Sequence, residues 1–334
     1  MKINKMSSLL VHIGYPKTAT TTIQENIIYK LSKLNKINYL CHSEKIIKKN
    51  KLKNAILIRK IYEYIIYKKW DNEILNEINN IKKEKSLKYI ISAETLSVLS
   101  ENNERNRMLL SSSIHNNANR IKRIFSKVFN NIKIIIVIRS QNDFCYSIYK
   151  EWYPYLKKTS NINNFDDFTK EYTKKSNIKN GYLNYYKIIL NYKKIFGNKN
   201  VDVLFYEDLI YNKNFFGKKL AKIFKINNKF THKSLYMKLN FKNDYEYNVS
   251  LNFIITKYIS SFVKLFIGKK KFEILKNIYI KYLFDLIEFF HVKQKFKNEK
   301  YNKSLYYNSE FKKINLNLTK LKLSRAKLKK YNYI

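Results

Sequence analysis

The chain has 334 residues and a mass of 40.4 kDa, and its 67 lysines and arginines outnumber 25 acidic residues to give a net charge of +42. A hydrophobic content of 45% excludes an intrinsically disordered polyelectrolyte, and only 5 Gly and 2 Pro exclude collagen-like and Pro-rich architectures. The 2 cysteines, Cys41 and Cys145, form neither a disulfide framework nor a metal-ligand motif, which indicates a reducing compartment and predicts no metal site.

Short apolar runs predict a parallel β-sheet. In chain order they are Ser8–Gly14, Ile37–Cys41 (the weakest), Lys88–Ala93, Ile132–Ile138 and Val201–Tyr206. Continuous apolar runs are typical of strands that are covered on both faces. After the first run, a helical spacing places four apolar side chains on one face: Ile23, Ile27, Leu31 and Leu34. Strands that alternate with helices indicate βαβ units, whose ligands bind beyond the carboxyl ends of the strands.

The rest of the chain has mostly helical patterns, over residues 240–300 and again in the basic tail from Lys312. We therefore predict an α/β protein with a central parallel sheet flanked by helices and a helical C-terminal half. We expect a single domain over 1–334, with the core sheet at about 8–210 and the helical C-terminal part at about 211–334.

No targeting or membrane-spanning segment is expected. Residues 1–8 lie too close to the first motif to leave room for the apolar region of a signal sequence. The stretch Leu251–Gly268 is apolar but interrupted by Lys257 and Lys264, which predicts an amphipathic helix, and packing on the core is favoured over binding to a membrane surface. We expect a cytoplasmic protein, with a peripheral contact at the inner face of the membrane as a secondary hypothesis.

A lysine and a run of hydroxyl residues follow the first predicted strand, in the segment GYPKTATTT over 14–22. In a strand–loop–helix unit, backbone N–H groups and the positive end of the helix dipole face a bound phosphate, and Lys17 adds a point charge. The segment is not a Walker A loop, because no second glycine precedes the lysine. A kinase or ATPase is therefore disfavoured.

The string HIGYPKTATTTIQ closely resembles the 5′-phosphosulfate loop of sulfotransferases that use 3′-phosphoadenosine 5′-phosphosulfate (PAPS). The resemblance implies a three-layer, P-loop-type fold and makes Lys17 the group that stabilises the leaving phosphate. It assigns PAPS binding to Tyr15, Pro16, Lys17, Thr18, Ala19, Thr20, Thr21 and Thr22, with Thr21 and Thr22 favoured as phosphate contacts. Ala19 stands where the family usually has glycine, and alanine is unstrained there only at a negative φ.

A second element follows the predicted strand Ile132–Ile138: Arg139 comes directly after it, and Ser147 follows eight residues later. In the same family an arginine and a serine at this spacing hold the 3′-phosphate of PAPS, so the resemblance assigns both residues to the nucleotide. The rigid fork of an arginine suits phosphate oxygens. The segments VDVLFYEDL (201–209) and LKKYNYI (328–334) also resemble bacterial members, with Asn332 in place of a glycine, so the resemblance covers nearly the whole chain.

Sulfonate transfer also needs a base for the acceptor. We predict Glu94, which follows Lys88–Ala93 at the expected catalytic edge, because glycan-modifying members of the family often use a glutamate. Capping a helix or pairing with a lysine remain open roles for Glu94. His12 is the alternative base, although a histidine within a strand is more often a hydrogen-bonded core residue.

The leading hypothesis is a bacterial, carbohydrate-type sulfotransferase that uses PAPS, without a metal, to modify a hydroxyl or amine of a cell-surface glycan or its lipid-linked precursor. One alternative is a non-catalytic polyanion-binding protein, because a basic chain favours anionic partners. The other is a nucleotide-dependent small-molecule kinase of the same fold class. Dispersed charge without a recognised nucleic-acid-binding motif predicts no specific nucleic acid partner.

Overall fold

The computed structural model describes residues 8–34, 36–40, 64, 74, 88–92, 114–159, 164–172, 181, 183–236, 246–250, 291–295 and 309–334. Within them, five strands form one sheet: β1 (Ser8–Gly14), β2 (Ile37–Leu40), β3 (Lys88–Ser92), β4 (Asn131–Ile138) and β5 (Val201–Phe205). They lie in the order β2-β3-β1-β4-β5, and every neighbouring pair is parallel. The predicted α/β fold with a central parallel sheet is confirmed, and it includes the strand with the weakest sequence signal.

The described helices are α1 (20–33), α2 (Ile114–Phe125), α3 (Gln141–Thr159), α4 (Phe165–Tyr172), α5 (Tyr185–Phe196), α6 (Tyr206–Tyr211), α7 (Lys213–Phe224), α8 (Asn228–Tyr236), α9 (Ser309–Leu316) and α10 (Arg325–Lys330). Asn184, Asn212 and Ser324 cap α5, α7 and α10, because each side chain accepts a hydrogen bond from the backbone N–H three residues later. Two short 3₁₀ segments, Asn198–Asn200 and Asn317–Leu321, connect longer elements. None of the helices in these ranges is both long enough and apolar enough to cross a membrane.

Helices cover the two faces of the sheet, as its buried strands require. On one face, β-strand residues such as Leu10 and Val137 pack in a single core cluster with α1, α7 and α8. The alternate β4 residues, which include Ile134 and Ile136, point to the opposite face, where α5 packs against β4 and β5. This arrangement gives the predicted three layers.

Helix α1 differs from the prediction in its register. It begins as an α-helical turn at Thr20–Thr22, continues as a π-helix over Ile23–Ile28, and ends as an α-helix over Tyr29–Lys33. Ile28 is buried with the expected residues, whereas Leu34 lies just past the end of the helix and is 55% exposed. The prediction that Leu34 shares the buried face is wrong, because the helix ends at Lys33 and Leu34 lies beyond its last turn.

The chain divides into two compact units. The first comprises Met1–Phe144, Tyr172–Leu239 and Ser304–Ile334 and contains the five-stranded sheet, and the second comprises Cys145–Glu171 and Asn240–Lys303. The expectation of one domain over 1–334 stays a prediction.

The second unit contains a small sheet that the helical pattern of its sequence did not predict. Strands β6 (Glu246–Ser250) and β7 (His291–Lys295) pair in antiparallel fashion. The interpretation of 240–300 as mostly helical is therefore wrong at these two segments, since five-residue strands are too short for periodicity to distinguish them from helix. The predicted helix Leu251–Gly268 lies outside the described residues.

Candidate nucleotide site at the carboxyl edge of the sheet

The two predicted phosphate-binding elements meet at one edge of the sheet. β1 and β4 are neighbours, and Gly14 at the end of β1 pairs with Val137 near the end of β4. The loop after Gly14 and the residue after Ile138 therefore leave the sheet side by side. Arg139 connects the two elements directly, because its Nη1 donates a hydrogen bond of 3.0 Å to the backbone oxygen of Lys17.

The phosphate loop curls around the carbonyl oxygen of Tyr15. Thr18 donates to this oxygen from both its backbone N (3.3 Å) and its hydroxyl (2.6 Å), and the hydroxyl of Thr20 donates to it from 3.3 Å. Lys17 and Ala19 both adopt a left-handed φ of 62°. Left-handed residues set between ordinary ones are the backbone pattern that points successive N–H groups into an anion-binding concavity.

Ala19 does not have the negative φ at which an alanine would be unstrained in this loop. A φ of 62° is the conformation that favours glycine, which is the residue usual in the family at this position. Alanine here carries backbone strain, and the loop keeps its shape because the hydrogen bonds to Tyr15 and the following helix hold it.

The four threonines of the loop have different environments. The hydroxyls of Thr18 and Thr20 are buried and committed to Tyr15, so they maintain the fold of the loop. Thr21 is exposed and Thr22 is half-buried, at the start of α1. These two residues are the more exposed threonines of the loop, and their role as phosphate contacts stays a prediction.

Gly14 allows the loop to fold back on the strand. A Cβ atom built at this position would overlap the Oγ1 of Thr20 and lie 2.9 Å from its Cγ2. Thr20 cannot yield easily, because it is buried and its hydroxyl is bonded to Tyr15. Glycine is therefore required at Gly14 by close packing within the loop.

Tyr15 and Pro16 take different places at the beginning of the loop. The ring of Tyr15 is fully buried and packs edge-on against Tyr185 at 5.2 Å and Phe144 at 6.0 Å between centroids. Its side chain therefore belongs to the core, and it serves the loop through its carbonyl oxygen. Pro16 and Lys17 are half-buried.

Arg139 is held by aromatic residues that were not predicted as part of the site. The hydroxyl of Tyr185 donates to the backbone oxygen of Arg139 over 2.7 Å, and the guanidinium lies 4.6 Å from the centre of the Tyr206 ring. The Nε of Arg139 is buried and has no hydrogen-bond partner among the described residues. Tyr206 follows β5 directly, so its place at the carboxyl end of a strand is a sequence indication that it lies at the site. Nothing in the sequence indicates Tyr185.

The remaining predicted site residues lie elsewhere. Ser147 is a buried residue on α3 in the second unit, and its role in binding phosphate stays a prediction. Glu94, the predicted base, lies outside the described residues.

His12, the alternative base, is fully buried within β1. Its Nδ1 lies 2.7 Å from the hydroxyl of Ser92 on β3, and Gln24 of α1 donates to that hydroxyl from 3.1 Å. Burial lowers the pKa of His12 to about 4, so the ring is neutral at physiological pH. These contacts are those of a histidine that links two strands and a helix.

Glu207 and Asp208, which follow β5, are buried and bind different partners. Glu207 accepts hydrogen bonds from the backbone N of Ser140 (2.7 Å) and the hydroxyl of Tyr333 (3.2 Å). Asp208 accepts from the hydroxyl of Tyr331 (2.7 Å) and forms an ion pair with Lys327. Burial raises the pKa of Glu207 to about 7, although its hydrogen bonds and the charge of Arg139 oppose this shift.

No group of three or more metal-ligating side chains occurs in the part of the chain that the structure describes. The arrangement at the edge of the sheet is that of an anion site instead. It combines a loop with two left-handed residues, a helix N-terminus and two cationic side chains, which together suit a ligand with more than one phosphate.

Comparison with known proteins identifies the family. The family model for the sulfotransferase domain matches residues 8–274, which is more than half of the chain. No curated protein sequence matches the chain.

Three similar solved structures have low TM-scores and low sequence identities. A sulfotransferase from Alicyclobacillus acidocaldarius has a TM-score of 0.40 and 11% identity over 76% of this chain and 90% of its own. A mouse sulfotransferase complexed with PAP has a TM-score of 0.35 and 15% identity over 69% of this chain and 63% of its own. A retinol dehydratase in complex with androsterone and inactive cofactor PAP has a TM-score of 0.33 and 14% identity over 68% of this chain and 63% of its own. The assignment depends on the family model and on the loop motifs, and by these the chain belongs to the sulfotransferase family.

Proposed function

We propose that this protein transfers the sulfonate group of PAPS to a hydroxyl or amine of a glycan or of a lipid-linked glycan precursor. The observation that carries the proposal is the junction of the Lys17 loop with Arg139, joined by the hydrogen bond from Arg139 to the Lys17 carbonyl. A nucleotide with phosphate groups at both its 5′ and 3′ positions needs two cationic sites a short distance apart. The edge shared by β1 and β4 offers them.

In this proposal the 5′-phosphosulfate and the 3′-phosphate of PAPS bind different elements. The loop from Gly14 to Thr22 holds the 5′-phosphosulfate with its backbone N–H groups, the hydroxyls of Thr21 and Thr22, and the amine of Lys17. Arg139 binds the 3′-phosphate, and its buried, unpartnered Nε supports this role because a buried donor without an acceptor is costly. The Tyr206 ring limits the freedom of the guanidinium.

The reaction forms one bond to sulfur and breaks another. The acceptor oxygen or nitrogen attacks the sulfur atom, and the bond between sulfur and the bridging oxygen of the 5′-phosphate breaks. Negative charge develops on that bridging oxygen as adenosine 3′,5′-bisphosphate (PAP) leaves, and Lys17 stabilises it there. The acceptor proton goes to a base.

We propose Glu94 as that base. The environment of His12 supports this choice, because a fully buried imidazole whose pKa is lowered to about 4 is a weak base and is not accessible to an acceptor. Replacement of Glu94 by glutamine is expected to abolish turnover and leave PAP binding intact. Retained turnover would assign the base to another residue.

The acceptor is proposed to be anionic or attached to an anionic surface. The net charge of +42 supports this, because a strongly basic protein attracts acidic glycans and lipid-linked precursors at the membrane. Transfer of labelled sulfonate to a panel of neutral and acidic glycans tests the class of acceptor. Equal transfer to both at low salt would contradict a selective role of the charge.

The proposed function is tested by PAP binding and by a pair of lysine variants. PAP is expected to raise the melting temperature of the wild type, and Lys17→Ala is expected to lose sulfonate transfer. Lys33→Ala is the matched control, since Lys33 is a lysine at the far end of α1 whose amine lies over the Tyr29 ring. Absence of both a PAP shift and any transfer from PAPS would overturn the proposal, and a preference for ATP over PAP would indicate the kinase.

A further inference from the structure

Two segments with no assigned role in sulfonate transfer meet in the structure. The segment FYEDL (205–209) ends β5 and begins α6, and the segment LKKYNYI (328–334) is the end of the chain. Phe205 packs against the rings of Tyr331 and Tyr333, at 6.0 and 5.5 Å between centroids. The hydroxyls of the two tyrosines then bind the two acidic residues of the first segment.

The two acidic residues, Glu207 and Asp208, bind different parts of the structure. Asp208 binds Tyr331 of the C-terminal segment and Lys327 of α10. These two contacts anchor the chain end to α6. Glu207 binds Tyr333 on one side and the backbone N of Ser140 on the other. Glu207 therefore connects the chain end to the residue that follows Arg139.

A second connection runs through the backbone of Tyr333. Asn315 of α9 donates to the Tyr333 carbonyl from 3.0 Å and exchanges two hydrogen bonds, of 2.8 and 2.9 Å, with the side-chain amide of Gln141. Gln141 is the first residue of α3 and adjoins Ser140. Tyr333 is thus tied by its hydroxyl and its carbonyl to the two residues that succeed Arg139.

The chain end is itself shaped for these contacts. Asn332 has a left-handed φ of 58°, which turns the backbone so that the N–H of Tyr333 bonds to Leu328 over 2.8 Å. Asparagine tolerates this conformation better than most residues. The Tyr333 side chain is buried and its hydroxyl bonds to Glu207, while its backbone carbonyl accepts from Asn315.

We propose that Glu207 and Tyr333 are positioning residues for Arg139, and that the chain end thereby contributes to recognition of the 3′-phosphate. Both side chains are buried and act through the backbone at 140–141. They fix this backbone, so that the guanidinium of Arg139 is held over the Tyr206 ring at the edge of the sheet. This inference rests on the proposed binding of PAP.

The test measures what the 3′-phosphate adds to affinity. The dissociation constants of adenosine 5′-phosphate and PAP are determined by calorimetry. The ratio, which is the constant for adenosine 5′-phosphate divided by the constant for PAP, is compared among variants of the full chain. Tyr333→Phe removes one hydroxyl and is expected to lower this ratio by about fivefold, the equivalent of one hydrogen bond. Glu207→Ala is expected to lower it further, and Glu207→Gln to restore most of it, because the amide oxygen still accepts from Ser140.

Two tyrosine variants serve as matched controls. Tyr192→Phe removes a buried hydroxyl that has no hydrogen-bond partner among the described residues, and it should leave the ratio unchanged. Tyr331→Phe removes a hydrogen bond of 2.7 Å from the anchor at Asp208, and it should lower the melting temperature with little effect on the ratio.

The outcomes separate this inference from the proposed function. A wild-type ratio near one means that the 3′-phosphate is not recognised, and it overturns both. A high wild-type ratio that Tyr333→Phe leaves unchanged, with only a lower melting temperature, overturns the positioning role alone. Because Tyr333→Phe is a conservative change, this holds even where Glu207→Ala does not fold.

Discussion

Replacement of Ala19 by glycine tests the strain in the phosphate loop. Ala19 has a φ of 62°, and a left-handed conformation costs a residue with a Cβ atom roughly 1–2 kcal/mol. Glycine removes that cost but adds about 0.4–1 kcal/mol of conformational entropy to the unfolded chain. The difference predicts that Ala19→Gly raises the free energy of unfolding by about 0.5–1 kcal/mol.

The assay is equilibrium unfolding in urea, with two control variants. Lys225→Gly changes another left-handed residue, with a φ of 53° at the C-terminus of α7, and it should stabilise the protein similarly. Ala221→Gly changes a buried alanine in the helical interior of α7, and it should destabilise the protein by about 1 kcal/mol or more. The reasoning is refuted if Ala19→Gly destabilises the protein as Ala221→Gly does, because Ala19 would then not be strained.

Three further predictions concern packing and pH. Gly14→Ala should displace Thr20 and abolish the PAP-induced rise in melting temperature, and an unchanged rise would show that the loop adapts. Burial raises the pKa of Glu207 from 4.5 to about 7, so the contribution of this carboxyl to the free energy of unfolding should fall as pH rises between these values, by up to about 3 kcal/mol. Burial lowers the pKa of His12 from 6.5 to about 4, so the contribution of this imidazole should fall as pH drops across that window, and the two contributions oppose each other where the windows overlap. In urea titrations the free energy of unfolding of Glu207→Gln should therefore rise more steeply with pH than that of the wild type, and that of His12→Gln should fall more steeply; a pH slope that a variant leaves unchanged would exclude that residue as a contributor.

The sheet was predictable because its strands are buried on both faces. The run IKIIIVI over 132–138 admits no exposed face, and Ile134 to Ile138 are fully buried as that composition requires. The meeting of the Lys17 loop with Arg139 was predictable for a related reason, since the carboxyl ends of parallel strands share one edge.

The contacts around Arg139 were not predictable in the same way. Tyr185 and Tyr333 reach the site from helix and tail segments distant in the chain, and no local pattern relates them to Arg139. The motif FYEDL is visible in the sequence, but its partners depend on where the chain end packs. The strain at Ala19 was a conditional expectation, because backbone dihedral angles follow from the loop's hydrogen bonds and not from residue type alone.

The π-helical segment in α1 separates two requirements that one regular helix would have to satisfy together. The turn Thr20–Thr22 is oriented by the phosphate loop, whereas Ile23, Ile27, Ile28 and Leu31 pack in the hydrophobic core. The wider turns of Ile23–Ile28 absorb the angular difference, as an inserted residue does in an α-helix. Deletion of one residue within Ile23–Ile28 would restore a regular helix and rotate the threonines relative to the core, so the spacing between loop and core is as much a part of the site as its side chains.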